Sequence, residues 1–438
     1  MLTTILLLSK GNPFFGFSFS VKLLQNRFSS VTQCDTMKKT NEKRENMKKI
    51  ICLLLTIVFV FSFAACSSTK NTDSADSANK HTLYIKDDGK HESIEVTFLS
   101  TDTGDSETVE AKKLESDDDA AIFSCEGDTA KFDRVIITYS EKGVTPELAF
   151  NDYVNGWELG PHEFMPFTYE GVNDAPTYKW ERFDYENNRK KEIDIWVPED
   201  YDENSEEKYS VIYMTDAGNL FDPSATATGS WGVAEAVRGM MKESANKCII
   251  VGIENPPVFR DEELTPNLGK STQDSYDNGK GIEFCEFVYD VVVPYIEENY
   301  NVYTDPAHNA ICGSSSGGIE CFYIGMEHPE KFGTIGALSP AFGLFDNATW
   351  DKYLAEKDFS AGYPFIYIYC GNSSADQLEQ FLLKGAQDMP SNLKKIGYPE
   401  DKIVVKVYDK GLHKEMYWRA VFPEFLKYMF PKNQTAEE

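Results

Sequence analysis

Histidine is scarce in this chain of 438 residues, which holds only six. Chemistry that needs an imidazole therefore has few places to draw on. Cysteine occurs nine times but never as C-x-x-C or at zinc-ligand spacing, so neither a redox pair nor a zinc site is expected. The six beyond residue 66 stand at 125, 248, 285, 312, 321 and 370. Four of these sit in or beside apolar runs of the C-terminal region, which suits buried free thiols. Basic residues are also short, 43 Lys and Arg against 71 Asp and Glu, for a net charge of −28. That balance argues against binding nucleic acid and against docking on anionic lipid through charge; solubility accounts for it. The N-terminal run Ile50 to Ala65 is apolar and uncharged, but it is short for a membrane span.

That run has its own meaning. Met47-Lys48-Lys49 precedes it, and Phe63-Ala64-Ala65-Cys66 ends it. A basic start, an apolar middle and small residues before the cut describe a signal peptide. The last four residues resemble a bacterial lipobox, which makes Cys66 the expected lipidated first residue of a surface-anchored protein. Residues 1–46 then read as a spurious upstream extension, and 47–65 as the lipoprotein signal peptide. Residues 1–66 carry nine Lys/Arg and three Asp/Glu, so the remainder is at −34. Residues 66–80 are rich in Ser, Asp and Asn and read as a tether.

Residues 81–160 alternate apolar and polar, as at Ile94, Val96 and Phe98 and again at Val135, Ile137 and Tyr139. Asp/Gly clusters separate the runs, which predicts a small β-sandwich-like domain. Its end carries Phe150, Tyr153 and Trp157. Exposed, these would suit a carbohydrate-binding face; packed inward, they would join this unit to the next. Residues 161–189 read as a linker and lead-in strand, 190–431 as the main domain and 432–438 as a tail. Within 190–431 strand-like runs alternate with helical ones such as Ile282–Tyr300, which predicts an α/β fold with a mostly parallel sheet covered on both faces.

The main domain contains Gly313-Ser314-Ser315-Ser316-Gly317-Gly318 between an apolar run, Asn309–Cys312, and a helical pattern, Ile319–Met326. A strand, a tight G-x-S-x-G turn and a helix form the setting of a nucleophilic serine. Only Ser315 has glycine at both −2 and +2; Ser316 has Ser314 at −2 and is the poorer frame. The alternative is an unreactive Ser/Gly loop. The base must be a histidine. His81 and His91 lie far upstream, and His162 sits in the linker. His308 is at the wrong end of the serine's strand, and His328 suits a helix cap. His413 remains, on the loop after Ile403–Tyr408. The acid should lie between serine and histidine, after the strand Pro364–Cys370. Asp376 is the first carboxylate there and the expected triad acid; Glu379 competes with it. The backbone N–H of Ser316 is one oxyanion donor that such a turn supplies.

Several blocks of residues 190–430 resemble the serine esterase family of the α/β-hydrolase fold. That family includes enterochelin esterases, feruloyl and acetyl-xylan esterases, S-formylglutathione hydrolases and mycolyltransferases. The blocks are Tyr213–Asp222, Ile249–Asn255, Arg260 with Glu263 and Pro266, Val292–Ile296, the serine turn, His328–Gly333, Leu338–Phe342, and His413 with Trp418. The resemblance implies a second oxyanion N–H at Gly218. It departs at Ala217, where glycine is usual, and in a longer acid loop. It also implies a Ser-His-acid esterase working through an acyl-enzyme on a small or polysaccharide-linked acyl ester, with no cofactor or metal and with the membrane reached only through the lipid. The same triad serves acyltransferases, and an inactive scaffold that only binds is a third reading.

Overall fold

The structure, a computed structural model, describes residues 79–430 apart from 117–119, 142, 161–162, 225 and 228. The upstream extension, the signal peptide, Cys66, His162 and the tail 432–438 lie outside the described residues. No helix among the described residues is long and apolar enough to cross a membrane.

The N-terminal region forms two sheets. One has five strands, in the order Lys112–Ser116, Ala121–Asp128, Lys80–Asp87, Gly156–Gly160, Glu163–Phe167. The other has four: Ser106–Glu110, Glu95–Leu99, Arg134–Thr138, Leu148–Ala149. Their inward residues, Leu83, Ile85, Val96, Phe98, Val135 and Ile137 among them, share one core. The last hairpin reaches Phe167, so the unit runs beyond the expected boundary at 160. Phe150, Tyr153 and Trp157 are buried, at 1%, 2% and 0% exposed. Of the two readings of these aromatics, the structure shows the inward packing and no sugar-stacking face. They face inward because a helix from the far end of the chain covers them.

The second architecture is an eight-stranded sheet. Its strands are β1 (Lys179–Tyr185), β2 (Arg189–Trp196), β3 (Ser210–Thr215), β4 (Cys248–Ile253), β5 (Asn309–Ser314), β6 (Thr334–Leu338), β7 (Phe365–Gly371) and β8 (Ile403–Tyr408). They lie in the order β1-β2-β4-β3-β5-β6-β7-β8. The pairs β1–β2 and β2–β4 are antiparallel, and every later pair is parallel. The sheet thus begins within 161–189, the stretch read as linker and lead-in strand. Every residue of β3, β4 and β5 is buried, as in parallel strands covered on both faces. Alternate residues go to opposite faces. Val211, Tyr213, Ile249 and Ile311 meet the helical stretch 281–299, α2 (Ser316–Glu327) and α3 (Gln377–Lys395). Ile212, Met214, Ile250 and Cys312 meet α1 (Val233–Ser244) and α4 (Glu415–Met429). This is an α/β-hydrolase fold preceded by a strand-rich domain.

Register sets up the site. Ser314 pairs with Leu338, Leu338 with Tyr369, and Gly371 with Tyr408. The C-terminal ends of β5 to β8 therefore lie side by side, and the loops leaving them converge, as ligand sites in such sheets require.

The strand-rich domain packs on α4. Met416 and Ala420 of α4 join its core. The buried Arg419 donates to Phe164 O at 2.7 Å and to Ser230 O at 2.6 and 2.8 Å. Asn151 donates to Pro423 O at 3.2 Å. Asp133 accepts from Lys406 of β8 at 3.0 Å, and the Arg134 guanidinium lies 4.7 Å over the ring of Tyr408.

Candidate active site

Between β5 and α2 the chain turns through Ser315, whose φ of 59° and ψ of −124° are unusual for any residue with a side chain. The turn is over-determined. The N–H of Ser315 donates to Leu338 O at 2.9 Å, and its carbonyl accepts from Gly318, Ile319 and Ala341 at 3.1, 3.2 and 3.0 Å. The glycine frame has a steric cause. A Cβ on Gly313 would stand 2.5 Å from Thr215 Oγ1, and one on Gly317 would come closer still. Ser314 and Ser316 are buried, while Ser315 is only partly so. Ser315 therefore presents the hydroxyl. Ser316 begins α2, where an N–H has no carbonyl four residues back and stays available to an anion.

His413 stands on the six-residue loop between β8 and α4. Its Nε2 lies 3.0 Å from Ser315 Oγ, and its Nδ1 lies 2.8 Å from Glu379 Oε2. The carboxylate fixes the tautomer: Nδ1 carries the hydrogen, and Nε2 can accept the serine's. Trp418, one turn into α4, meets the imidazole edge-on with centroids 5.1 Å apart.

The acid on the ring is Glu379, and the expectation for Asp376 is corrected. Asp376 is the N-cap of α3, with Oδ1 accepting from the N–H groups of Leu378 and Glu379 at 3.1 Å each. Its Oδ2 accepts the backbone N–H of His413 at 2.8 Å. Burial opposes the charge on Asp376, but these N–H groups outweigh it and hold the carboxyl below its ordinary range. An aspartate that caps a helix has spent its oxygens on the backbone. Three residues later the helical turn carries Glu379 inward, where it is 0% exposed. The sequence signal was present in Asp376-Gln377-Leu378-Glu379: an N-cap residue followed three positions on by a second acid.

The loop after β3 is braced from several sides. Asp216 takes φ 58°, ψ 49° and opens the turn Ala217–Asn219. Its carboxylate accepts both arms of Arg260, at 2.6 and 2.8 Å. Its N–H donates to Asn255 Oδ1 at 3.1 Å. Asn255 in turn donates to Glu263 at 3.2 Å, and Arg189 and Lys191 each donate to Glu263 at 2.7 Å. Asn255, Arg260 and Glu263, which carried part of the family resemblance, thus hold this loop. Gly218 is exposed on that turn, and a Cβ there would meet nothing within 4 Å. The N–H groups of Asn219 and Leu220 close the turn, on Asp216 O and Ala217 O.

The remaining histidines stand elsewhere. His81 bonds Val154 O, His91 pairs with Asp87, and His308 pairs with Asp305. His328 caps α2 and stacks on Tyr289 at 3.7 Å. The six described cysteines are free and buried. A cleft of about 390 Å³ is lined by Phe342, Trp350 and Phe381 together with Asn347, Lys384 and Asp388, and by none of Ser315, His413 and Glu379. A larger one of about 480 Å³ includes Thr334 and Phe365, the first residues of β6 and β7. It opens at the end of the sheet away from Ser315.

The chain belongs to the family described as "Putative esterase", whose model matches residues 186–429, and it is a serine carboxylic-ester hydrolase. "Uncharacterized protein YbbA" of Bacillus subtilis (strain 168) is 22% identical over 247 residues, 55% of this chain and 93% of that protein. Among solved structures, the ferulic acid esterase AmCE1/Fae1A of the anaerobic fungus Anaeromyces mucronatus is 22% identical, with a TM-score of 0.43 over 59% of this chain and 92% of that one. The enterobactin esterase FES of Shigella flexneri is 14% identical, with a TM-score of 0.46 over 80% and 92%.

Proposed function

We propose that Ser315, His413 and Glu379 are the catalytic triad of this esterase and that it works through an acyl-enzyme. Ser315 Oγ attacks the ester carbonyl carbon and passes its proton to His413 Nε2. Glu379 holds the Nδ1–H and stabilises the imidazolium. The oxyanion that forms is met by the N–H of Ser316 and, from the loop after β3, by that of Gly218; each such donor is worth about 10²–10³ in rate. The carbon–oxygen bond to the alcohol then breaks, and His413 returns its proton to the leaving oxygen. Water repeats the sequence and frees the acid. The observation that carries this reading is the unbroken Oγ–Nε2 and Nδ1–carboxylate chain, at 3.0 and 2.8 Å.

The substrate class we propose is a carbohydrate-linked acyl ester of acetyl or feruloyl type. The family match over residues 186–429 and the sequence blocks that resemble feruloyl and acetyl-xylan esterases support it. A panel of acetyl, feruloyl and longer-chain esters, each with and without a sugar acceptor, tests this. Fastest turnover on short or feruloyl sugar esters is expected. Preference for long free acyl esters would reject the substrate class, and transfer to the sugar outpacing hydrolysis would make the protein an acyltransferase. We further propose that the mature protein begins at a lipidated Cys66 and stands on the outer surface of a bacterial membrane. An intact mass showing a diacylated Cys66 is the expected result; an unmodified terminus or another start rejects it.

A further inference from the structure

We infer that Ser339 and Trp418 form a donor relay that fixes the triad carboxylate, which makes both of them positioning residues for the ester chemistry. The inference rests on the triad reading above.

The loop after β6 places Ser339 in the left-handed region, at φ 43°, although it is not glycine and is 0% exposed. Glycine would take this backbone with less strain. The hydroxyl explains what serine adds. Trp418 Nε1–H donates to Ser339 Oγ at 3.0 Å. Indole is a donor only, so the Ser339 oxygen is the acceptor there and its own hydrogen must point elsewhere. Glu379 Oε1 lies 2.7 Å from that oxygen, which makes the O–H the donor to the carboxylate. The N–H of Gly371 donates to the same Oε1 at 2.5 Å. The Cys370 thiol lies 3.4 Å from the same oxygen, so Oε1 is met by three donors and Oε2 is left to face His413 Nδ1. The direction of every hydrogen in the chain from Trp418 through Ser339 and Glu379 to His413 is determined. Trp418 acts at both ends, because its ring also packs against the imidazole.

The test uses Ser339→Gly, which removes the hydroxyl while relaxing the backbone, so loss of folding does not confuse the result. Trp418→Phe removes the indole donor and keeps an aromatic ring against His413. The substrate is a p-nitrophenyl acyl ester. Ser339→Gly should remain folded with an unfolding temperature close to wild type, the relaxed backbone offsetting the unpaired Trp418 N–H, and should lose about 10- to 100-fold in kcat, the usual weight of a hydrogen bond to a charged group, with KM little changed. Trp418→Phe should lose less. The Nδ1–H proton resonance of His413 should move in both. In a Glu379→Gln background, Ser339→Gly should cost little more, because the two act as a unit. Unchanged kcat and resonance in Ser339→Gly would overturn the relay, and so would a full additive loss in the Glu379→Gln background. A wild-type protein that failed to react with a serine-directed phosphonate would instead overturn the triad reading itself.

Discussion

Ser315→Ala will lower kcat by about 10⁴–10⁶ and leave the fold intact. The hydroxyl is the only part of the side chain that alanine loses, and it is the atom facing His413 Nε2 at 3.0 Å. The turn is built from backbone bonds to Leu338, Gly318, Ile319 and Ala341, which alanine keeps. Thermal unfolding should therefore be close to wild type. Ser314→Ala and Ser316→Ala serve as internal controls. Both side chains are buried, and what Ser316 contributes is a backbone N–H, so each should retain most activity. Near-wild-type hydrolysis by purified Ser315→Ala would falsify the nucleophile.

The second large effect separates two carboxylates three residues apart. Glu379→Gln should cost about 10³–10⁴ in kcat, because an amide facing Nδ1 favours the wrong tautomer and cannot stabilise the imidazolium. Asp376→Asn should cost about tenfold or less in kcat. Its amide oxygen can still serve the helix cap or the His413 N–H, though not both, so the expected loss is about 1 kcal/mol of stability. Steady-state kinetics on the two variants decide between them. If Asp376→Asn proved the more damaging in kcat, the assignment of Glu379 would fall.

The two cases show what the sequence carried and what it did not. The serine that the turn presents to His413 was legible because the requirement is local: glycines at −2 and +2 answer crowding by Thr215, and the frame can be counted on the chain. The histidine beside that serine was legible because a chain with six histidines leaves few candidates. The parallel sheet was legible from buried runs alternating with helices. The acid was not, since Asp376 and Glu379 leave the same strand and differ only in which of them the first turn of α3 swings inward. Proximity along the chain favoured the wrong one. The aromatics at 150–157 stayed open between two readings for a related reason. Their pattern marks them as important, but whether they face water depends on Pro423 and Phe430, which Asn151 and Tyr153 bond from about 270 positions away. Ser339 and Trp418 likewise sit 79 residues apart. Long-range partners of this kind leave no period or spacing to read.

The docking of the strand-rich domain on α4 bears on any attempt to engineer this protein. Met416 and Ala420 lie in that domain's core, only three and seven residues after His413 in the chain. The catalytic unit is therefore not a cassette to be cut at residue 179 and grafted onto another carrier. Excision would strip an apolar face from the helix that seats the histidine, and solubility and activity would fail together. Transplanting the whole of 79–430 keeps that seat. The amino-terminal domain, whatever else it touches, is part of the frame that aims the imidazole.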